Sequence, residues 1–199
     1  TVPATIAFPN RAALLASLGN EYAASLAAVP NGAAKDAGVA AGTAAADAML
    51  AARTNDGRFG PSPWVSNASP GHWQPLLNPD GSLQLDPTAW VANVKPFVLR
   101  TSSQFRSEGP QALGSTAYAV DVNETKALGS VSSAVRSAEQ THNAIFWQTA
   151  GGPAWLWNGA ARGLADSRGL DLGDSALLFA ELNLASADAA INVWNDKYH

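Results

Sequence analysis

Residues 171–199, DLGDSALLFAELNLASADAAINVWNDKYH, decide the fold. Asp171 to Asp174 supply the oxygen acceptors and acidic charge that start a helix. Leu178, Leu182, Ala185, Ala189 and Trp194 then recur on a helical stripe to the end of the chain. Working backwards, Gly169 is a stop for a helix that Pro153 opens and that runs to about Arg168. Gly151-Gly152 separates it from a helix through Phe146 and Trp147, capped by Ser132 or Ser133. Before that, Pro110 opens a helix to about Leu128, with Tyr118, Val122 and Leu128 as inward candidates.

Further upstream the pattern changes. Pro9 and Asn10 open a helix to about Val29 with Leu14, Leu18, Tyr22 and Leu26 on one stripe. Pro30-Asn31-Gly32 is a turn, and an Ala-rich helix runs from about Ala33 to Arg53, stopped by Asn55-Asp56-Gly57. Residues 57–86 are rich in proline and glycine and contain Trp64 and Trp73, which predicts a long loop packed down on the core. A short helix begins at Asp86-Pro87 and carries Trp90, and 96–109 reads as a second ordered loop. No strand pattern and no internal repeat stand out. The expected class is all-α: a helical bundle with long ordered loops, as one domain over 1–199 or as the N-terminal half of a larger bundle.

Composition agrees. Of 199 residues 47% are hydrophobic, but 41 are alanine and only 14% are charged, against about a quarter in an ordinary domain. Alanine favours helices whose axes approach closely. The net charge of −4 and the absence of any basic run argue against a nucleic-acid partner. No long uninterrupted apolar stretch predicts a membrane span. The absence of cysteine removes disulfides, thiolate metal sites and cysteine nucleophiles. The chain opens on Thr1 rather than Met, which suggests a removed signal peptide or a longer parent; this leans towards a secreted or periplasmic location and leaves the cytoplasm open.

Three constellations could carry chemistry. Glu139-x-x-His142 has the spacing of a carboxylate-bundle metal ligand pair, but such sites need two pairs and two further Glu, so a surface pair is expected. Ser69-Pro70-Gly71-His72 lacks basic neighbours and reads as a structural turn. Asp121, Glu124, Asp188 and Asp196 lie on helices, where pairing with Arg100, Arg106, Lys126 or Arg136, or capping a neighbouring loop, outranks acid–base work. Lys197, by position alone, is a cation placed favourably at a helix C-terminus.

A set of ordered segments adds to this: Val29-Pro30-Asn31-Gly32 with Ala34-Lys35 and Gly38; Arg53 with Asp56-Gly57; Gly71, Trp73 and Pro75; Pro96-Phe97; Gln104-Phe105; Gly109-Pro110; Ser115 with Tyr118; and Asn123-Glu124 with Lys126 and Gly129. The ending is the most specific, with Asn183-Leu184-Ala185, Asp188-Ala189, Trp194, Asp196, Lys197 and Tyr198. From about residue 20 onwards the chain resembles the bacterial branch of the vanadium-dependent haloperoxidases and type-2 phosphatidic-acid phosphatases.

The resemblance implies an enzyme in which vanadate activates peroxide to oxidise a halide, or an acid phosphatase that holds phosphate instead. It implies that Lys197 matches the first position of the family's oxyanion motif. The Arg-Pro that follows, the Pro-Ser-Gly-His turn and the catalytic His have no match here, so this chain alone is expected to be inactive. They would lie on the C-terminal half of the same protein, carried as a second chain, with a homo-oligomer as a further expectation. Phe97, Gln104, Phe105 and Arg106 are the expected part of the cavity wall. The rival reading is a non-catalytic helical binding or assembly protein.

Overall fold

The computed structural model describes residues 11–61, 65 and 67–199. Their regular structure is six α-helices, one short 3-10 helix and one two-stranded hairpin, so the protein is all-α. It divides into two units, Thr1–Pro61 and Ser62–His199.

The first unit holds α1 (Arg11–Ala27) and α2 (Ala33–Ala52). Pro9 and Asn10, read as the start of α1, lie outside the described residues. Lys35 ties the intervening turn by donating to the Val29 carbonyl (3.1 Å) and the Asn31 side chain (3.0 Å). After α2, Arg53 and the buried Asp56 form an ion pair at 2.7 Å, and Asp56 also accepts from the Arg58 amide. Of the expected inward stripe only Leu26 is half-buried: Leu14, Leu18 and Tyr22 are exposed, and no residue of α2 is buried. An open apolar groove of about 820 Å³ separates the two helices, lined by Tyr22, Leu26, Gly38, Val39 and Gly42.

The second unit begins with the long loop, which corrects two expectations. It contains a small antiparallel hairpin, β1 (Leu76–Leu77) with β2 (Leu83–Gln84), in the register Leu76↔Gln84 and Leu77↔Leu83. The Asn78–Ser82 turn closes it through Asn78 N–H to the Ser82 carbonyl (2.8 Å) and Ser82 N–H to Asp80 (2.9 Å). Both strands are exposed, so no alternation of apolar and polar residues could announce them. Trp73 is 46% exposed rather than packed down, and Trp64 lies outside the described residues. The short helix after Asp86 is a 3-10 helix, Ala89–Asn93.

The helices α3 (Thr116–Gly129), α4 (Ala138–Thr149), α5 (Pro153–Arg168) and α6 (Leu172–Lys197) follow. α3 starts six residues after Pro110, because Ser115 rather than the proline supplies the acceptor for the Tyr118 amide. α4 is capped by Ser137, which forms a reciprocal capping box with Gln140. Ser133, an expected cap, instead bonds the Ala127 carbonyl and the Arg136 amide. α5 ends at Gly169, whose left-handed φ of 60° lets the Leu170 amide reach back to Ala165.

Burial concentrates on α6. Its Ile191, with Ala89, Ala92 and Val94 of the 3-10 segment and Ala161 and Ala165 of α5, makes up the buried apolar set. Small residues let α5 approach α6, and Asn158 and Asn183 join them by reciprocal hydrogen bonds at 3.0 and 3.1 Å. The inward face of α6 runs through Leu178, Leu182, Asp188, Ile191 and Asn195, whereas the expected Ala185 and Ala189 are exposed. Neither α3 nor α4 packs against another helix or strand among the described residues. Val122 accordingly stays exposed, and Tyr118 and Leu128 are only half-buried. α6 is also long and apolar enough to cross a membrane by length and composition. The expectation of no membrane span therefore meets one weak candidate, whose polar side chains are bonded to a neighbouring loop.

Candidate functional site

Polar residues at helical spacing on the last turns of α6 hold the segment 86–107. Asp188 is 4% exposed and accepts three backbone N–H groups, from Phe97 (2.6 Å), Val98 (2.7 Å) and Leu99 (2.7 Å). One turn on, Asn192 donates to the Ser102 carbonyl at 2.9 Å. Asn195 donates to the Ala92 carbonyl and the Ser102 hydroxyl and accepts from the Arg106 guanidinium. Asp196 Oδ1 accepts from both the amide and the hydroxyl of Ser107 at 3.0 Å. These bonds add to the burial of Ala89, Ala92 and Val94 in the same segment, since each amide left dry and unpaired would cost about 1–3 kcal/mol.

At the helix end the chemistry becomes ionic. Lys197 Nζ donates to Asp86 Oδ2 at 3.0 Å, and the Tyr198 hydroxyl donates to the same oxygen. Thr88 donates its amide and hydroxyl to Asp86 Oδ1, and Trp194 Nε1 donates in turn to Thr88 at 3.2 Å. The Lys197 ammonium lies 5.4 Å from the Trp194 ring centroid and 4.9 Å from that of Tyr198, within cation–π range. Partial burial would raise the Asp86 carboxyl, but donors from Thr88, Tyr198 and Lys197 outweigh it and hold the group far below the ordinary carboxylate range. Burial opposes the charge on Lys197 too, yet its bond to Asp86 raises it above an ordinary lysine. Burial and donation to Asp86 together raise the Tyr198 phenol.

Lys197 lines a polar cleft of about 460 Å³ together with Arg106, His72, Glu108, Asp196 and His199. Of the four expected wall residues, only Arg106 joins it. Phe97 contributes its backbone to Asp188, and Gln104 closes its own loop by accepting the Arg100 amide. Phe105 is 68% exposed and lines a separate apolar depression with Val98, Leu99 and Ala189. His72 sits in a turn closed by its amide to the Ser69 carbonyl (3.3 Å) and still reaches the cleft.

Elsewhere the carboxylates bond amides more than arginines. Arg136 donates to the Leu128 and Ser130 carbonyls and to Thr141, not to an acid. Glu139 and His142 are exposed on α4, and no group of three potential metal ligands occurs among the described residues. Sequence reasoning missed Asp86, Glu108 and His199. The only advance signal for Asp86 was its place before Pro87, which marks a helix start and says nothing about Lys197.

Known proteins offer no guide to this arrangement. No protein-family model, no curated protein and no solved structure matches the chain.

Proposed function

We propose that this chain is the helical portion of a vanadate-dependent haloperoxidase-like enzyme, a catalyst of peroxide-driven halide oxidation. In it, Lys197 supplies one ligand of an oxyanion site. The observation that carries the reading is the pre-set ammonium: Asp86, Trp194 and Tyr198 fix Lys197 in its charged form on the wall of a cleft shared with Arg106. Oxyanion sites work by such fixed charged donors around tetrahedral oxygens. Several residues on which the family resemblance rests also carry long-range bonds here, among them Asp188, Asp196 and Tyr198.

On this chain alone the donors do not fit vanadate or phosphate as a complete site. The charge of Lys197 is balanced by Asp86, the Arg106 guanidinium is already bonded to Asn195, and two carboxylates share the cleft. No catalytic step is assigned to the chain by itself. The missing ligands would come from the C-terminal half of the bundle, which would also cover the exposed Ile145, Phe146 and Trp147 of α4. An acid phosphatase would use the same corner for phosphate. The charge balance at Lys197 favours, as a second reading, a helical assembly protein without chemistry.

Native and denaturing intact-mass spectrometry on protein purified from its source, with vanadium and phosphorus content, tests this. The expected result is the chain joined to, or in equal amount with, further polypeptide and an oxyanion. One species near 20.5 kDa with neither element would overturn the enzymatic reading.

A further inference from the structure

One four-residue sequence occurs twice in the chain, as Asn31-Gly32-Ala33-Ala34 and as Asn158-Gly159-Ala160-Ala161. In each, glycine follows asparagine, and without a Cβ nothing crowds its peptide nitrogen against the asparagine side chain. Local sequence gives both pairs the same intrinsic reactivity, so only the fold can separate them. Asn158 and Gly159 lie inside α5, where backbone amides are spent on the helix ladder. The Asn158 side chain is tied as well: its Nδ2 donates to the Ala154 carbonyl at 2.8 Å and to Asn183, and its Oδ1 accepts from Asn183 at 3.1 Å. Asn31 and Gly32 sit instead in the exposed turn between α1 and α2. Among the described residues the Gly32 amide donates no hydrogen bond, and the space where a Cβ would stand is open. Asn31 Oδ1 accepts from Lys35 Nζ at 3.0 Å.

We propose that Asn31 is a site of spontaneous deamidation, with the Lys35 ammonium polarising its side-chain carbonyl, and that the fold protects Asn158 from the same reaction. The Gly32 nitrogen, having given its proton to a solvent base, attacks Asn31 Cγ. The new C–N bond closes a succinimide ring, and the side-chain nitrogen takes a proton from water and leaves as ammonia. Water then opens the ring at either carbonyl, giving an aspartyl or an isoaspartyl residue. Negative charge builds on Oδ1 during the attack, at the atom to which Lys35 already donates. The aspartyl product sets a carboxylate beside Lys35 and just ahead of α2, where the helix dipole favours it. The isoaspartyl product lengthens the backbone of the turn by a methylene, next to Val29, Pro30, Ala34 and Lys35 of the groove between α1 and α2.

The test is incubation of the folded full chain at mildly alkaline pH. Peptide mapping by mass spectrometry follows the amide-to-acid mass gain at both asparagines, and chromatography separates aspartyl from isoaspartyl peptides. Asn31 is expected to convert at least about tenfold faster than Asn158, a ratio that modest protection inside a helix supplies. In denaturant the two rates are expected to agree within about twofold, because fold-specific protection is gone. Lys35→Met is expected to slow Asn31 about three- to fivefold, the scale of one exposed charge-assisted hydrogen bond, and Lys35→Arg to keep most of the rate. Equal rates at the two asparagines of the folded protein, an Asn31 that keeps its amide, or a Lys35→Met rate at or above that of the unaltered chain overturns the proposal. The comparison of Asn31 with Asn158 is made within one unaltered molecule, so it decides the matter if a Lys35 variant does not fold.

Discussion

α3 and α6 are both regular, well-capped helices, yet they stand in opposite situations. α3 has a Ser115 cap and a basic residue in its last turn, and among the described residues no other helix or strand packs against it. α6 has an Asp171 cap and carries the buried centre of its unit. Capping and propensity make a helix; they do not place it. Placement in α6 comes from Ile191 and from side chains whose polar ends bond backbone groups of a remote loop.

The largest expected effect probes that difference. Asp188→Ala leaves three amides of 97–99 without an acceptor and should destabilise the second unit by about 3 kcal/mol, read by denaturant titration. The matching change in α3, Val122→Ala, should stay within about 0.5 kcal/mol, since that side chain is already exposed. Next comes Ile191→Ala, expected at about 2–3 kcal/mol because the side chain is only 4% exposed and its removal leaves a cavity. A smaller effect is expected from Ser137→Ala in α4: about 1 kcal/mol of local helix stability, seen as faster amide exchange at Gln140 with little change in the unfolding of α6.

The pH response sharpens the contrast further. Asp86 is depressed in the folded state, so its contribution is fully present above the ordinary carboxylate pKa of about 4 and fades as pH falls through the lower folded value. Lys197 is raised, so its contribution is present below about 10.4 and is lost as pH rises through the folded value. Asp86→Asn should flatten both ends of the stability–pH curve. Substitutions in α3 should leave its shape unchanged.

These contrasts also mark what could be read in advance. The all-α class and the α2, α5 and α6 boundaries were legible because alanine content, Pro153, Gly169 and Asp171 act within a few residues of themselves. The stripe of α1 was not, and that of α6 only in part: Leu178, Leu182 and Trp194 are half-buried, whereas Ala185 and Ala189 are exposed. Apolar spacing names a face, and in α6 the inward face carries Asp188 and Asn195, polar residues that periodicity assigns to solvent. The hairpin was invisible because its strands are two residues long and exposed. At the candidate site Lys197 and Arg106 were legible, whereas Asp86 meets Lys197 across 111 positions and no local rule reaches that far.

Amide hydrogen exchange, resolved by residue, tests the central claim most directly. If the polar face of α6 holds the 96–107 loop, the amides of Phe97, Val98 and Leu99 should be protected as strongly as those around Ile191, and Asp188→Asn should weaken them selectively. Amides at 97–99 that exchange as fast as those of α3 would contradict it.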